Sequence, residues 1–168
     1  TDGHTVNAII RGPVPEALID HPGINFFKSD LHDLPKLNEA MEGCDMAFHL
    51  AAFAKPWSKD PGYYYRINVE GAVNVFTAAK ETGIKKVVFT SSAATMSPSS
   101  GPEPADESTN RTTAYFNEYE STKAAAELKA REFCEKGLPV VIVNPSRVYG
   151  PGPINPSNSV TRMIAAYN

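Results

Sequence analysis

The chain has 168 residues, about the length of one domain. Its composition, 42% apolar and 21% charged, excludes a disordered tail. A net charge of −3, without a block of Lys or Arg, argues against a nucleic-acid partner, and no apolar run approaches the roughly 18 residues of a membrane span. We therefore expect no membrane partner and a cytoplasmic location.

Short apolar runs alternate with amphipathic stretches along the whole chain. This alternation predicts βαβ units, with a parallel sheet and helices on both of its faces. The predicted strands span residues 5–10, 24–28, 45–51, 86–90 and 139–143. The predicted helices span residues 34–41, 61–82, 118–136 and 159–167. The second helix opens at Asp60-Pro61, with Asp60 as the expected N-cap, and ends at Gly83, which permits a left-handed stop.

The beginning of the sequence differs from that of a complete doubly wound sheet. Such a sheet normally starts with a strand and a glycine-rich turn, and that strand is central in the sheet. No such strand and turn precede residue 5. We therefore expect the first two strands to have no parallel neighbour joining them to the third, and the sequence to be part of a longer protein.

Tyr119 and Lys123 lie four residues apart in the third predicted helix, which places both on one helical face. A neighbouring ammonium group favours the phenolate form of tyrosine, and so makes a phenol useful as an acid–base catalyst. The alternative is an exposed pair on a solvated helix face.

A second group of hydroxyls follows the strand predicted at residues 86–90. Ser91 and Ser92 leave this strand at its carboxyl end, where open α/β sheets bind their ligands. A serine here can bind a substrate carbonyl or alcohol, although Ser at a strand end commonly caps the next turn.

Seven motifs now resemble, in order, those of the extended short-chain dehydrogenase/reductases, the NAD-dependent epimerase/dehydratase family. They are G-H-T-V at 3–6, S-D-L at 29–31, H-L-A-A at 49–52, N-V-E-G-A-V-N-V at 68–75, F-T-S-S at 89–92, the Tyr119/Lys123 pair, and N-P-S-R-V-Y-G-P-G at 144–152. The resemblance implies a Rossmann-type fold. It implies an NAD(P)-binding domain over residues 1–150, incomplete at its N-terminus, and the start of a substrate-binding region over residues 151–168.

The resemblance also implies roles for individual residues. Tyr119 would be the general acid/base, and Lys123 would favour its phenolate and hold the nicotinamide ribose hydroxyls. Ser92 would orient the substrate, with Ser91 as the alternative. The implied cofactor-binding residues are Arg11, Asp30, Leu31, Leu50, Ala51, Ala52, Asn68, Tyr119, Lys123, Pro145 and Val148.

The end of the first predicted strand bears on the choice of cofactor. NAD-preferring family members carry an acidic residue there, whereas this chain has Arg11 and no carboxylate before Glu16. Arginine can pair with a 2′-phosphate, so we expect NADP, with NAD still possible.

The reaction type stays open between two branches of the family. Ala93-Ala94 stands where sugar 4,6-dehydratases carry Asp-Glu, which disfavours dehydration. Carbonyl reductases of the dihydroflavonol-reductase type and nucleotide-sugar epimerases remain, and Arg11 favours the reductases. A non-catalytic dinucleotide sensor is a further alternative. The resemblance also implies a homodimer, formed through the two long helices.

Other residue types gave weaker signals. The four histidines and two cysteines lack metal-ligand spacing, so we expect no metal site. His49 is expected to be a packed core residue, and Cys44 and Cys134 are expected to be buried thiols. Tyr63, beside the aromatic residues that follow it, is either a pocket residue or part of the packing at the helix start.

Overall fold

The computed structural model describes residues 3–55, 57–99, 101–109, 111–150 and 159–166. Its strands are β1 (Val6–Ile10), β2 (Ile24–Lys28), β3 (Met46–His49), β4 (Lys86–Thr90) and β5 (Val140–Val143). Its α-helices are α1 (Leu34–Met41), α2 (Gly62–Tyr65), α3 (Gly71–Glu81), α4 (Glu118–Glu135) and α5 (Ser159–Ala165). Every predicted strand and helix is present, with ends shifted by up to two residues wherever they are described. The predicted boundary between domains at residues 150 and 151 adjoins 151–158, which lie outside the described residues, as does Tyr167.

The strands pair in parallel, in two separate sheets. β1 pairs with β2, and β3, β4 and β5 form a three-stranded sheet in that order. In the described residues no strand hydrogen-bonds β1 or β2 to β3, as the sequence analysis expected.

One hydrophobic core joins α1, α3 and α4 to the three-stranded sheet. Phe76 of α3 and Phe89 of β4 are fully buried and pack edge to face, with ring centroids 5.5 Å apart. Small residues of α4, Ala126 and Ala130, allow that helix to lie close to the same core.

The opposite face of the three-stranded sheet carries exposed apolar side chains. Phe48 of β3 is 64% exposed, and Met46, Val141 and Val143 are also exposed. Apolar residues on both faces of a strand are typical of a sheet that is covered on both sides. The helices of the core cover one face of the three-stranded sheet. In the part of the chain that the structure describes, the predicted helices on both faces are therefore seen on one face of this sheet.

The predicted helix over residues 61–82 is one helical stretch with an irregular centre. Residues Arg66–Glu70 form a π turn between α2 and α3. The N-cap is Pro61 rather than the predicted Asp60, and proline has no side-chain acceptor for the first N–H groups. The Asp60 carboxylate pairs with Arg66 and lies beside the backbone N–H groups of Gly62 and Tyr63. Gly83 has φ of 75°, which confirms the left-handed stop.

The prediction for the cysteines was wrong for one of the two. Cys44 is half-buried and Cys134 is exposed. Cys134 lies in the last turn of α4, four residues after the buried Ala130, and its thiol donates to the Val140 carbonyl at 3.5 Å. It is exposed because it lies at the end of the helix, beyond the residues that the core covers.

Candidate functional site

A cleft of about 450 Å³ opens where β1, β2 and β3 end, beside the helical stretch that starts with α2. Five predicted cofactor-binding residues line it together: Arg11, Asp30, Leu31, Ala51 and Ala52. It lies outside the carboxyl ends of parallel strands, which is the usual ligand position in open α/β sheets.

The Arg11 side chain stands at this cleft without a carboxylate partner. Its Nη1 donates to the Tyr63 hydroxyl at 3.3 Å, and it forms no ion pair with any described residue. A second arginine of the cleft, Arg66, pairs instead with Asp60. The guanidinium of Arg11 is therefore the one better placed to meet an anion.

Close packing of the helical stretch against Leu31 forms the back of the cleft. A Cβ at Gly71 would lie 2.7 Å from Leu31 Cδ1, which is closer than real carbon contacts allow. Asn74, one turn later, donates to the Leu31 carbonyl at 2.8 Å. These two contacts give a physical reason for glycine and asparagine in the motif at residues 68–75.

The Lys123 side chain of α4 is buried against the end of β4 and does not line the cleft. It is 1% exposed, its Nζ donates to the Thr90 carbonyl at 2.8 Å, and it lies 4.4 Å from the centre of the Phe89 ring. Burial lowers the pKa of the Lys123 ammonium group to about 8, against a smaller opposing effect of the Glu127 carboxylate. A lysine in this state can change protonation within the range in which enzymes work.

The two serines after β4 differ in what they bind. Ser91 is buried, and its hydroxyl donates to the Glu127 carboxylate. Ser92 is half-buried, and its Oγ accepts from the backbone N–H of Ala94 at 3.2 Å. Its hydroxyl proton is donated to no residue that the structure describes, so of the two hydroxyls Ser92 is the one free to bind a ligand.

Tyr119 is half-buried in the first turn of α4, one turn before Lys123. Its neighbour Glu120 forms a buried ion pair with Arg111 at 3.2 Å. Arg111 also donates to the carbonyls of Ala94 and Met96, at 3.0 and 2.7 Å. Arg111 thus fastens the turn after Ser92 to the start of the helix that carries Tyr119.

The remaining predicted cofactor-binding residues lie away from the cleft lining. Asn68 is buried, and its side chain binds the backbone N–H and carbonyl of Phe53 and the Thr122 hydroxyl. Pro145 accepts a hydrogen bond from the Ala93 N–H at 3.0 Å. Leu50 and Val148 are 69% and 70% exposed. The cleft therefore brings together five of the predicted cofactor-binding residues and not the others. The Asn68 side chain instead links the segment after β3 to α4.

His49 is a core residue, as predicted. Its ring stacks on Phe89 with centroids 5.4 Å apart, and its Nε2 has no hydrogen-bond partner among the described residues. Burial, and then the nearby charge of Lys123, lower the pKa of His49 to about 3, so the ring stays neutral at pH 7.

Sequence reasoning missed several residues of these sites. Glu127 and Arg111 form the contacts described above, and Arg66, Ile67 and Glu70 line the cleft. Tyr63, which it left undecided, both lines the cleft and packs on Phe53 at 4.8 Å. The spacing of Glu127, four residues after Lys123, indicates that both lie on one face of α4, but it does not indicate the donors that Glu127 meets.

Across the described ranges, no group of three or more His, Cys, Asp or Glu side chains could hold a metal ion. Every helix in the described part of the chain is too short or too polar to span a bilayer.

Comparisons with known proteins agree with the fold. Dihydroflavonol 4-reductase of Hordeum vulgare is 33% identical over 170 residues, covering 89% of this chain and 48% of the reductase. The crystal structure of gox2253 matches with a TM-score of 0.80 and 33% identity, over 95% of this chain and 49% of that chain. The UDP-N-acetylglucosamine 4-epimerase from Methanobrevibacter ruminantium M1 matches with a TM-score of 0.69 and 33% identity, over 79% of this chain and 42% of that chain.

These likenesses confirm the predicted Rossmann-type α/β fold class, and the matched relatives are enzymes, reductases and epimerases. The chain spans about half the length of the curated relatives it matches. The model for the NAD dependent epimerase/dehydratase family matches residues 1–168. With its motifs, its parallel strands and this match over its whole length, the chain belongs to the NAD-dependent epimerase/dehydratase family.

Proposed function

We propose that the chain carries the cofactor cleft and the proton-transfer site of an NADP-dependent oxidoreductase. The observation that carries this proposal is the free hydroxyl of Ser92 at the end of β4, beside a helix whose Lys123 binds the same strand end at Thr90. The substrate class is a small carbonyl compound, converted to its alcohol or formed from it. In the relative from Hordeum vulgare that substrate is a dihydroflavonol.

Three side chains divide the chemistry in this proposal. Ser92 donates a hydrogen bond from its hydroxyl to the substrate oxygen and so orients the substrate, while keeping its proton. Tyr119 gives a proton to that oxygen during reduction, and takes it back during oxidation. Lys123, one helical turn later, donates to the Thr90 carbonyl and so holds the helix that carries Tyr119 at the end of β4. The bound nicotinamide cofactor supplies or accepts the hydride.

The preference for NADP rests on Arg11. Its guanidinium lines the cleft and has no carboxylate partner among the described residues, so a 2′-phosphate would give it one. Asp30 and Leu31, which also line the cleft, would contact the adenine ring in this proposal.

The experiment for this proposal is a fluorescence titration of the chain with NADPH and with NADH. Loss of a charge-assisted hydrogen bond in Arg11→Ala should weaken NADPH binding by roughly 10- to 100-fold and leave NADH binding unchanged. Arg131→Ala, an exposed arginine on α4, is the matched control. Equal affinity of the unmodified chain for both nucleotides would refute the NADP preference.

A nucleotide-sugar 4-epimerase is the second candidate, favoured by the match to the UDP-N-acetylglucosamine 4-epimerase. Incubation with NADPH and a dihydroflavonol, and separately with UDP-N-acetylglucosamine, distinguishes the two. A reductase consumes NADPH with the carbonyl substrate, whereas an epimerase converts the sugar without net consumption of cofactor. Binding of NADPH without either reaction would favour a dinucleotide sensor. The homodimer, the cytoplasmic location and the division at residue 150 stay predictions.

A further inference from the structure

We propose that Glu127 is a positioning residue, which holds the Ser92 turn against the helix that carries Tyr119 and Lys123. This inference rests on the proposed function, and it assigns to that site a residue for which the sequence motifs gave no role. Glu127 is half-buried in α4, two helical turns after Tyr119 and one turn after Lys123.

One oxygen of the Glu127 carboxylate is the meeting point of three donors. Its Oε1 accepts from the Ser91 hydroxyl, from Thr95 Oγ1 at 2.9 Å and from Asn144 Nδ2 at 2.7 Å. These donors come from the end of β4, from the turn after Ser92 and from the end of β5. A single carboxylate therefore ties two strand ends to one helix, with charge-assisted hydrogen bonds.

The donors that bind Glu127 also reach Ser92 itself. Asn144 Nδ2 lies 3.1 Å from the Ser92 carbonyl oxygen, and Thr95 Oγ1 lies 2.8 Å from it. The Ser92 carbonyl is thus held by two of the side chains that also contact Glu127. The Ser92 hydroxyl stays outside this network, bound only by the Ala94 N–H among the described residues.

The contacts also place successive turns of α4 on Thr90, the last residue of β4, and on Ser91, which follows it. Lys123 binds the Thr90 carbonyl, and Glu127, one turn later, binds the Ser91 hydroxyl. A slide or rotation of α4 would break both contacts. Because Tyr119 lies on the same face one turn earlier, the pair of contacts fixes its distance from Ser92.

Glu127 acts on Lys123 through its charge as well. The titratable groups that face the Lys123 ammonium group are His49 and Glu127, and His49 is neutral at pH 7. Glu127 is thus the charge that opposes the effect of burial on Lys123. A neutral residue at position 127 should therefore lower the pKa of Lys123 further.

The test compares Glu127→Gln, Glu127→Ala and the matched control Glu135→Gln, which alters an exposed carboxylate of the same helix. Two readouts need no substrate: amide hydrogen exchange at Ser91, Ala93 and Thr95, and the pH titration of the Lys123 ¹³Cε shift. We expect Glu127→Ala to speed exchange at these amides by about 10-fold or more, because the network is lost. Glu127→Gln keeps an acceptor oxygen and should restore most of the protection. Both variants should titrate Lys123 at lower pH, while Glu135→Gln changes neither readout.

Turnover of NADPH with a carbonyl substrate is the third readout. Glu127→Ala should lower kcat by about 10- to 100-fold with the KM for NADPH unchanged, since misplacement of reacting groups costs rate rather than cofactor binding. The inference would be overturned if the Glu127 variants matched Glu135→Gln both in amide exchange and in the pH titration of Lys123. If the unmodified chain turns over no substrate, the proposed function fails, and the two substrate-free readouts still decide the role of Glu127. If Glu127→Ala does not fold, amide exchange and the Lys123 titration of Glu127→Gln decide it together.

Discussion

The ammonium group of Lys123 donates a hydrogen bond to the backbone carbonyl of Thr90, 2.8 Å away, inside the protein and not in the open cleft. The side chain is 1% exposed and lies against the face of Phe89. The α4 helix, which carries Tyr119, is therefore fastened to the end of β4, just before Ser92. Lys123 makes this contact at an energetic cost, because its charged group is buried.

That cost predicts a distinctive alkaline behaviour. Burial lowers the pKa of Lys123 from 10.5 to about 8, so between pH 8 and 10.5 the unfolded chain binds more protons at this site than the folded one. The free energy of unfolding should therefore rise with pH through this window, by roughly 3 kcal/mol in total. In Lys123→Met, which keeps the length of the side chain, this contribution is absent. Urea titrations from pH 7 to 10.5 measure it, and parallel curves for the two proteins would refute it.

His49 predicts the corresponding effect in acid. The folded-state pKa of about 3 lies below the ordinary value of 6.5, so the unfolded chain binds more protons between these limits. The contribution of neutral His49 to the free energy of unfolding is fully present above pH 6.5. It is lost as the pH decreases toward 3, by about 1.4 kcal/mol per pH unit.

His49→Phe should remove this acid sensitivity, because an aromatic ring can keep the stacking on Phe89 without an unpaired Nε2. His32→Gln, at an exposed histidine, is the control. Thermal or urea unfolding between pH 7 and 4 checks the prediction. It is wrong if His49→Phe loses stability in acid as steeply as the unmodified chain.

Arg111 and Glu120 predict a large effect from one buried ion pair. Their side chains are 10% and 11% exposed, so removal of the arginine leaves a nearly buried carboxylate without its partner. We expect Arg111→Met to lower the free energy of unfolding by roughly 3 kcal/mol and to speed amide exchange in the turn after Ser92. The double variant Arg111→Met/Glu120→Gln should recover part of the loss.

The control for this pair is Lys129→Met, which breaks the exposed ion pair with Glu132. Such a pair contributes about 0–1 kcal/mol, so Lys129→Met should hardly change urea unfolding. Equal losses for Arg111→Met and Lys129→Met would contradict a fastening role for Arg111.

The sequence predicted what depends on local pattern. Apolar runs located all five strands, and Gly83 marked the end of a helix by its left-handed φ. The i, i+4 spacing placed Tyr119 and Lys123 on one face of α4. Arg11, Asp30 and Ala51, predicted from motifs far apart in the chain, line one cleft.

What the sequence did not predict depends on distant contacts. The π turn at Arg66–Glu70 lies where the buried Asn68 side chain binds Phe53 and Thr122, residues that only the fold brings near. Glu127 meets its donors across 17 to 36 residues of chain. Its role depends on the alignment of α4 with two strand ends, and no local pattern encodes that alignment.

The most direct test of the proposed reaction is the turnover of Tyr119→Phe beside Tyr115→Phe. Tyr115 is the matched control, because its ring stacks on Arg111 at 4.2 Å and phenylalanine keeps that ring. With NADPH and a dihydroflavonol, loss of the proton donor should lower the kcat of Tyr119→Phe by about 10²- to 10⁴-fold. NADPH affinity should stay the same, and Tyr115→Phe should remain active. Turnover by Tyr119→Phe at the rate of the unmodified chain would contradict the assignment of Tyr119 as the acid–base group.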